Sequence, residues 1–509
     1  MKEKIITLWK QNPLKAILLI GFILRLPAVI FSKGFGWHDD HFLIIEASQS
    51  WVEGLDYNNW FPWSGATEPD GHSLFYAGLH YVFFTFMHWI HLDDPQLKMF
   101  FVRLIHAVFS LLIIYYGYKI AGFYKGDLAA KVTGLLLACY WFMPFLSVRN
   151  LIEFVCVPFL VWGTWLAIPK DGQSAKKYFM AGFILALAVS VRYQSSMIAA
   201  GIVLALLLMR EWKISVLVIA GGIVSFVLLQ APFDYMIWKK PFAEFGEYVR
   251  YNMENSESYG SNTWYSYLIV ILGMLIPPLS IFLFLGYLST WKKYILIFLP
   301  SFIFLVFHSS FPNKQERFIL TIVPFIIIGG VIGIMTLWEK YTWFTSHRQL
   351  LKGFAWFAIV INIILLPFIS TMYSKKARVE SMVYLSKYKN INIIVEDDCN
   401  RDNIKIPPEF YARQWMHVAE VHGQMPIDSL TLLVNSWADK DKPKFVLFFQ
   451  SDNLPKRLKD MKAVFKDLTY ETTIKPGFID WLLTKMNPRN ANEEIFIYKT
   501  NVVPYEVKE

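Results

Sequence analysis

Six long apolar blocks dominate this chain, at residues 14–32, 98–120, 128–146, 263–289, 317–337 and 353–372. A helix needs about 20 apolar residues to cross the hydrocarbon layer of a bilayer, and each block meets that length. A globular core has no need of such runs. Only 17% of the 509 residues are charged against 55% apolar, and a soluble domain carries more charge. The sequence is read as a polytopic membrane protein, which excludes the large soluble class.

The finer pattern places spans at 14–32, 98–120, 128–146, 151–168, 178–191, 194–209, 214–232, 263–289, 293–308, 317–337 and 353–372, eleven in all. An odd number puts the termini on opposite sides. The N-terminus resembles a signal peptide, with Lys2, Lys4, Lys10 and Lys15 before an apolar run. No A-x-A-like site follows, so the run is read as an uncleaved first span. With the N-terminus cytoplasmic, every inner segment holds at least two basic residues, such as Lys119, Lys125 and Lys131, or Lys340, Arg348 and Lys352. The outer turns near 149 and 192 carry one each, as the positive-inside rule requires. This distribution accounts for the net charge of +9, and no basic helix or aromatic RNA-reading motif points to nucleic acid.

One further apolar stretch, 74–91, is rich in His, Phe, Tyr and Trp, residues that favour the membrane interface. If it spanned, the later Lys-rich loops would face outward. It is read as a juxtamembrane helix, as is 40–53. The first outer loop then runs from about 33 to 97, and a loop of that size is usually functional.

The tail from 373 is charged and has strand-like runs at 392–395, 429–434, 444–449 and 495–499. These predict a small α/β extracytoplasmic domain, without a Gly-rich phosphate loop or nucleotide fingerprint. Of three cysteines, Cys139 and Cys156 lie in apolar blocks and Cys399 near the start of the tail. The set suggests neither a disulfide framework nor a zinc site.

Polar groups gather where this topology meets the outer face. Asp39 and Asp40, flanked by His38 and His41, follow the first span within a few residues. In a partly desolvated cleft one aspartate can act as a general base, its pKa lifted by its neighbour and by burial; a solvated acidic turn is the plainer reading. Lys314 and Arg317 stand at i and i+3 near the tenth span. On a helix end they would share a face and suit a phosphate, unless they merely anchor the helix. Arg149, with Asn150 and Glu153, and Arg192, with Gln194, fall at outer span ends. Arg25, inside the first span, either lines a cavity or pairs with a carboxylate in the bundle. Trp51, Trp60 and Trp63 could stack on sugar rings or form an interfacial belt. A transporter would place its polar groups near the midplane, in repeated halves.

These segments resemble integral-membrane glycosyltransferases of the GT-C superfamily, especially the mannosyltransferases that extend dolichol-linked oligosaccharides and glycosylphosphatidylinositol anchors. Trp37-His38-Asp39-Asp40-His41-Phe42 aligns with their H-P-D-E-x-F motif, and Asn313-Lys314-Gln315-Glu316-Arg317-Phe318 with H-K-E-x-R-F, followed by Pro324. Arg149 resembles the Arg of S-R-T-x-x-N, and Arg192 an Arg-Pro position. The chain departs from the motifs at Trp37, Asn313, Gln315 and Tyr193.

The resemblance covers residues 1–372. It implies an all-α polytopic membrane bundle of about eleven transmembrane helices, GT-C type, with juxtamembrane helices in the first outer loop. The 373–509 tail adds its α/β domain. It also implies an inverting transfer of a sugar, mannose by the closest likeness, from a polyprenyl-phosphate donor to a lipid-linked or glycan acceptor. Asp39 would be the base and Asp40 its partner. Lys314, Arg317, Arg192 and Arg149 would hold the donor phosphate, while His38, His41 and Glu316 would contact substrate. The acidic pair and the cations would serve one pocket at the outer rim. No cofactor is implied, although Asp39, Asp40, His38 and His41 include metal-ligand types suited to a divalent ion. The family likeness fits a bacterial inner membrane, or the endoplasmic reticulum in a eukaryote, with an extracytoplasmic site. A protein or lipid A glycosyltransferase of the same superfamily, and a flippase for lipid-linked saccharides, are the alternatives.

Overall fold

The computed structural model describes residues 2–255, 262–397, 405–422, 425–438, 441–487 and 494–508; Cys399 lies outside these residues. The chain divides into two compact units. The first holds Met1–Phe31, Ser50–Phe83 and Phe100–Thr371; the second holds Ser32–Gln49, Phe84–Met99 and Met372–Glu509. Two pieces of the first outer loop therefore cluster with the tail.

The first unit is helical. Helices at Pro13–Phe31, Pro95–Cys139, Trp212–Trp238, Glu316–Lys340 and Arg348–Ser370 are long and apolar enough to cross a membrane. Shorter apolar helices at Ile152–Ala167, Tyr193–Leu208 and Ile295–Ser310 accompany them. The protein is an integral membrane protein with five such spans among the described residues, six if a bent pair is counted as one. That pair covers the span expected at 263–289, which is bent where a straight helix was expected. Ser266–Met274 and Leu279–Ser289 meet at 117°, because Pro277 and Pro278 cannot continue the backbone ladder. The count of eleven thus rests on segments that are partly short or broken. Small residues let the helices approach: a Cβ on Gly182 would lie 1.8 Å from the Val218 carbonyl oxygen, so Ala175–Val191 packs backbone to backbone on Trp212–Trp238. Arg25 is fully buried. It donates to Ser110 Oγ at 2.8 Å and to the Gly21 carbonyl at 2.8 Å, a hydroxyl and a helix carbonyl where a carboxylate was one expectation.

The second unit is built on a sheet. Its strands are β1 (Tyr388–Lys389), β2 (Ile393–Asp397), β3 (Val418–His422), β4 (Phe445–Phe449), β5 (Thr469–Ile474), β6 (Ile495–Lys499) and β7 (Glu506–Val507). Five form one sheet in the order β3-β2-β4-β6-β5, parallel across β3-β2-β4 and antiparallel beyond. The central β2 and β4 are buried throughout, which explains why β4 reads as an unbroken apolar run and β2 as one up to Val395. The 429–434 run, expected as a strand, lies in the helix Ile427–Asn435. Leu430 and Val434, one helical turn apart, reach the core beside Val446 and Phe448, while Leu432 between them is 71% exposed, as a helix but not a strand places it.

In this same unit the chain leaving the first span meets the start of the tail. Gly34 and Ser374 form a parallel bridge, with Ser374 N–H donating to the Lys33 carbonyl at 3.1 Å. Gly34 has φ +73, and a Cβ there would fall 1.9 Å from the Ser374 oxygen, so only glycine fits.

Candidate functional site

Bridged in this way, the acidic turn of the second unit follows within five residues. His38–His41 makes one helical turn and continues into a π-turn at Phe42–Glu46. Asp39 is half-buried, Asp40 is 4% exposed and His38 is exposed, its ring stacked on Phe42 at 4.4 Å. His41 is placed elsewhere than the substrate contact expected of it. It is 1% exposed, stacked between Phe35 at 4.5 Å and Tyr411 at 5.5 Å. Its Nε2 meets Glu46 Oε1 at 3.1 Å, and the same oxygen accepts the Phe410 N–H at 3.2 Å. Burial holds the His41 ring well below the usual imidazole range, aided by the charges of Lys375 and Arg378. Burial, with Glu409 nearby, pushes Glu46 well above the carboxylate range. Burial thus disfavours charge on both partners of a hydrogen bond that braces the turn.

A second cluster lies in the first unit. Glu153, Arg192 and Arg317 are all buried. Glu153 Oε1 lies 3.4 Å from Arg192 Nη1 and 3.6 Å from Arg317 Nε. Thr321 Oγ1 ties the cluster together: it accepts from Arg192 Nη1 at 3.2 Å and donates to the Glu153 carbonyl at 2.9 Å. Gln194 accepts from Arg192 Nε, and Gln315 from Arg317 Nε at 2.7 Å. Phe318 carries both guanidinium groups near its ring, at 5.2 and 5.5 Å. Arg192 Nη2 and the Tyr267 hydroxyl are buried without hydrogen-bond acceptors among the described residues, and Tyr267 lies within electrostatic reach of Arg192. Two cations against one carboxylate, with donors to spare, form a site suited to an anion such as phosphate.

The remaining expected residues are placed separately. Lys314 precedes the 3₁₀ helix Glu316–Ile322, so it does not share a helix face with Arg317 as the i, i+3 spacing suggested. Its ammonium donates to the carbonyls of Asn262, at 3.0 Å, and Phe311. Glu316 is exposed. Arg149 is buried over the Phe145 ring at 4.4 Å, and its neighbour Asn150 accepts from the Tyr76 hydroxyl at 2.5 Å. The acidic pair belongs to one unit and the cations to the other. Trp51 and Trp63 join Phe61, Tyr81, Leu229 and Phe233 around an apolar cavity of about 570 Å³, while Trp60 stacks on His72 at 5.6 Å. Among the described residues no three His, Cys, Asp or Glu side chains stand together in a way that could hold a metal.

Sequence reasoning named Glu153 only as a neighbour of Arg149, and missed Thr321 and Tyr267. An ionisable residue inside an apolar run was the one available signal for Glu153. Lys375 and Arg378, beside the acidic turn, were missed because they lie in the tail.

The fold has solved counterparts. It is similar to ArnT from Cupriavidus metallidurans bound to undecaprenyl phosphate, at 12% identity and TM-score 0.61 over 96% of this chain and 98% of that one. It is also similar to the oligosaccharyltransferase of Archaeoglobus fulgidus, solved with zinc and sulfate, at 13% identity and TM-score 0.55 over 85% and 67%. At such identities the likeness speaks for the GT-C fold alone. No curated protein sequence matches. The sequence profile of the Alg9-like mannosyltransferase family matches residues 16–416, and the chain, a membrane glycosyltransferase, belongs to that family.

Proposed function

We propose that this protein transfers a mannosyl residue from a polyprenyl-phosphate carrier to a lipid-linked or glycan acceptor, with inversion, on the outer face of its membrane. The observation that carries this reading is the buried Glu153–Arg192–Arg317 cluster with its spare donors. When the glycosyl bond breaks, the phosphate goes from a singly charged diester towards a dianion. Fixed guanidinium groups that meet this growing charge lower the barrier. Arg192 and Arg317 are assigned to the phosphate, with Lys314 and Arg149 as further cations. Asp39, half-buried on its turn, takes the proton of the acceptor hydroxyl as that oxygen attacks the anomeric carbon from the side opposite the phosphate. Asp40 orients it and His38 contacts the sugar.

The carrier class draws support from the ArnT structure, which holds undecaprenyl phosphate, and from an Archaeoglobus fulgidus AglB structure with dolichol-phosphate at TM-score 0.51. The apolar cavity at Trp51 and Phe233 suits an isoprenoid chain. A bacterial inner membrane or an endoplasmic reticulum membrane would supply such carriers. The test is incubation of the purified protein with radiolabelled polyprenyl-phosphate mannose and separate lipid and glycan acceptors. Label moving to an acceptor, with the opposite anomeric configuration, supports the reading. Label that stays on the carrier with every acceptor, or crosses the bilayer with no new glycosidic bond, overturns it.

A further inference from the structure

The acidic turn has a cationic neighbour that comes from the tail. Ser374 is bridged to Gly34, so the next residue, Lys375, emerges beside the chain that leads to Asp39. Its ammonium lies 4.5 Å from the centre of the Phe35 ring, and the same ring stacks on His41 at 4.5 Å. The charges that face Lys375 are Asp39 and Asp40 from the turn, and Arg378 and Asp480 from the tail. His41 also feels Lys375 and Arg378, together with His38 on its own turn.

The placement is held by backbone. Lys375 has φ +52, a left-handed conformation that is costly for a non-glycine residue and persists where the surroundings fix it. Lys376 N–H donates to Asp480 Oδ2 at 3.1 Å just after it, starting the helix Lys376–Leu385. The second cation, Arg378, also lies by the Phe35 ring, at 5.6 Å, but its Nη2 donates to the Ile406 carbonyl and its charge is met by Glu420 and Asp397.

We propose that Lys375 is a positioning residue of the acidic turn, supplying the positive field that keeps the Asp39–Asp40 pair ionised and able to accept a proton. Two adjacent carboxylates, one of them almost wholly buried, resist carrying two negative charges. A cation close to both relieves that repulsion. The tail thereby becomes a working part of the reaction centre. Burial, with Arg378 beside it, brings the Lys375 amine down to about 7, so it is the soft member of the cluster.

The inference rests on Asp39 as the base, and the test separates the two. The full-length protein in lipid discs is assayed for kcat/KM against pH as native, Lys375→Met and Lys375→Arg. Losing the cation raises the pKa of the acid pair, so in the Met variant the acid limb moves up by about one pH unit. That is roughly a tenfold loss below the limb, recovered at higher pH. The Arg variant keeps the charge and the native limb. If the Met variant does not fold, Lys375→Gln is read in its place. An unmoved limb in the neutral variant, or equal displacements in Met and Arg, overturns the role of Lys375. If Asp39→Asn stays active, it is the base assignment that falls.

Discussion

Glu153 Oε1 stands 3.4 Å from Arg192 Nη1, with both side chains buried. This carboxylate is the counter-charge that allows two arginines to be stored out of water. Breaking a buried ion pair by removing one partner costs about 3 kcal/mol. Glu153→Gln is therefore expected to lower thermal stability in detergent by about that amount. Added polyprenyl phosphate should restore part of the loss by providing a replacement anion. Equal melting of variant and native protein would show that the arginines need no counter-charge.

Asp39→Asn removes the assigned base without changing shape. Sugar transfer is expected to fall by about 10²–10⁴-fold, the range for losing a general base, while size-exclusion behaviour and membrane insertion stay native. Turnover within about threefold of native would move the base elsewhere.

The two motif cations are expected to differ. Arg317 reaches Glu153 at 3.6 Å, so Arg317→Gln should impair donor use at least about tenfold in kcat/KM, one charge-assisted hydrogen bond being worth roughly 1.5–3 kcal/mol. Lys314 spends its ammonium on two backbone carbonyls. Lys314→Ala should act more weakly, through loosening of the Asn262 contact. Donor-concentration series for both variants make the comparison, and a larger effect at Lys314 would reverse the ranking.

Glu46 gives a pH prediction. Its folded pKa is raised by burial, so the native state binds more protons than the unfolded chain. Its effect is to lower stability as pH rises from the ordinary carboxylate range towards the folded pKa. Glu46→Gln keeps the contacts to His41 and Phe410 without the ionisable group. The variant is expected to match native stability at low pH and to exceed it by about 1 kcal/mol or more at neutral pH, since a tenfold change in proton affinity corresponds to about 1.4 kcal/mol. Denaturant melts at several pH values read this directly. A constant difference across pH would remove the assignment.

The helices and the two acidic and basic motifs were legible in the sequence, because burial in lipid demands long apolar runs and charge at their ends is conspicuous. The Ile427–Asn435 helix was not. Leu430, Leu432 and Val434 alternate as a strand would, while Leu430 and Val434 also satisfy a helical turn, and so short a run fits both periods. Glu153, Arg192 and Arg317 come together across three separate segments, and Lys375 reaches the acidic turn from the far end of the chain. Nothing in local spacing encodes such meetings. His41 looked like a ligand-contacting residue because its neighbours are aspartates; only the Phe35 and Tyr411 rings show it to be a brace.

Hydrogen bonds that close the acidic turn's base join residues 340 apart in the chain, such as Ser32 and Met372. The turn is synthesised early and its other half very late. A growing chain can thread every helix into the bilayer and still have an unfinished turn, so the turn is closed only once translation has delivered the start of the tail.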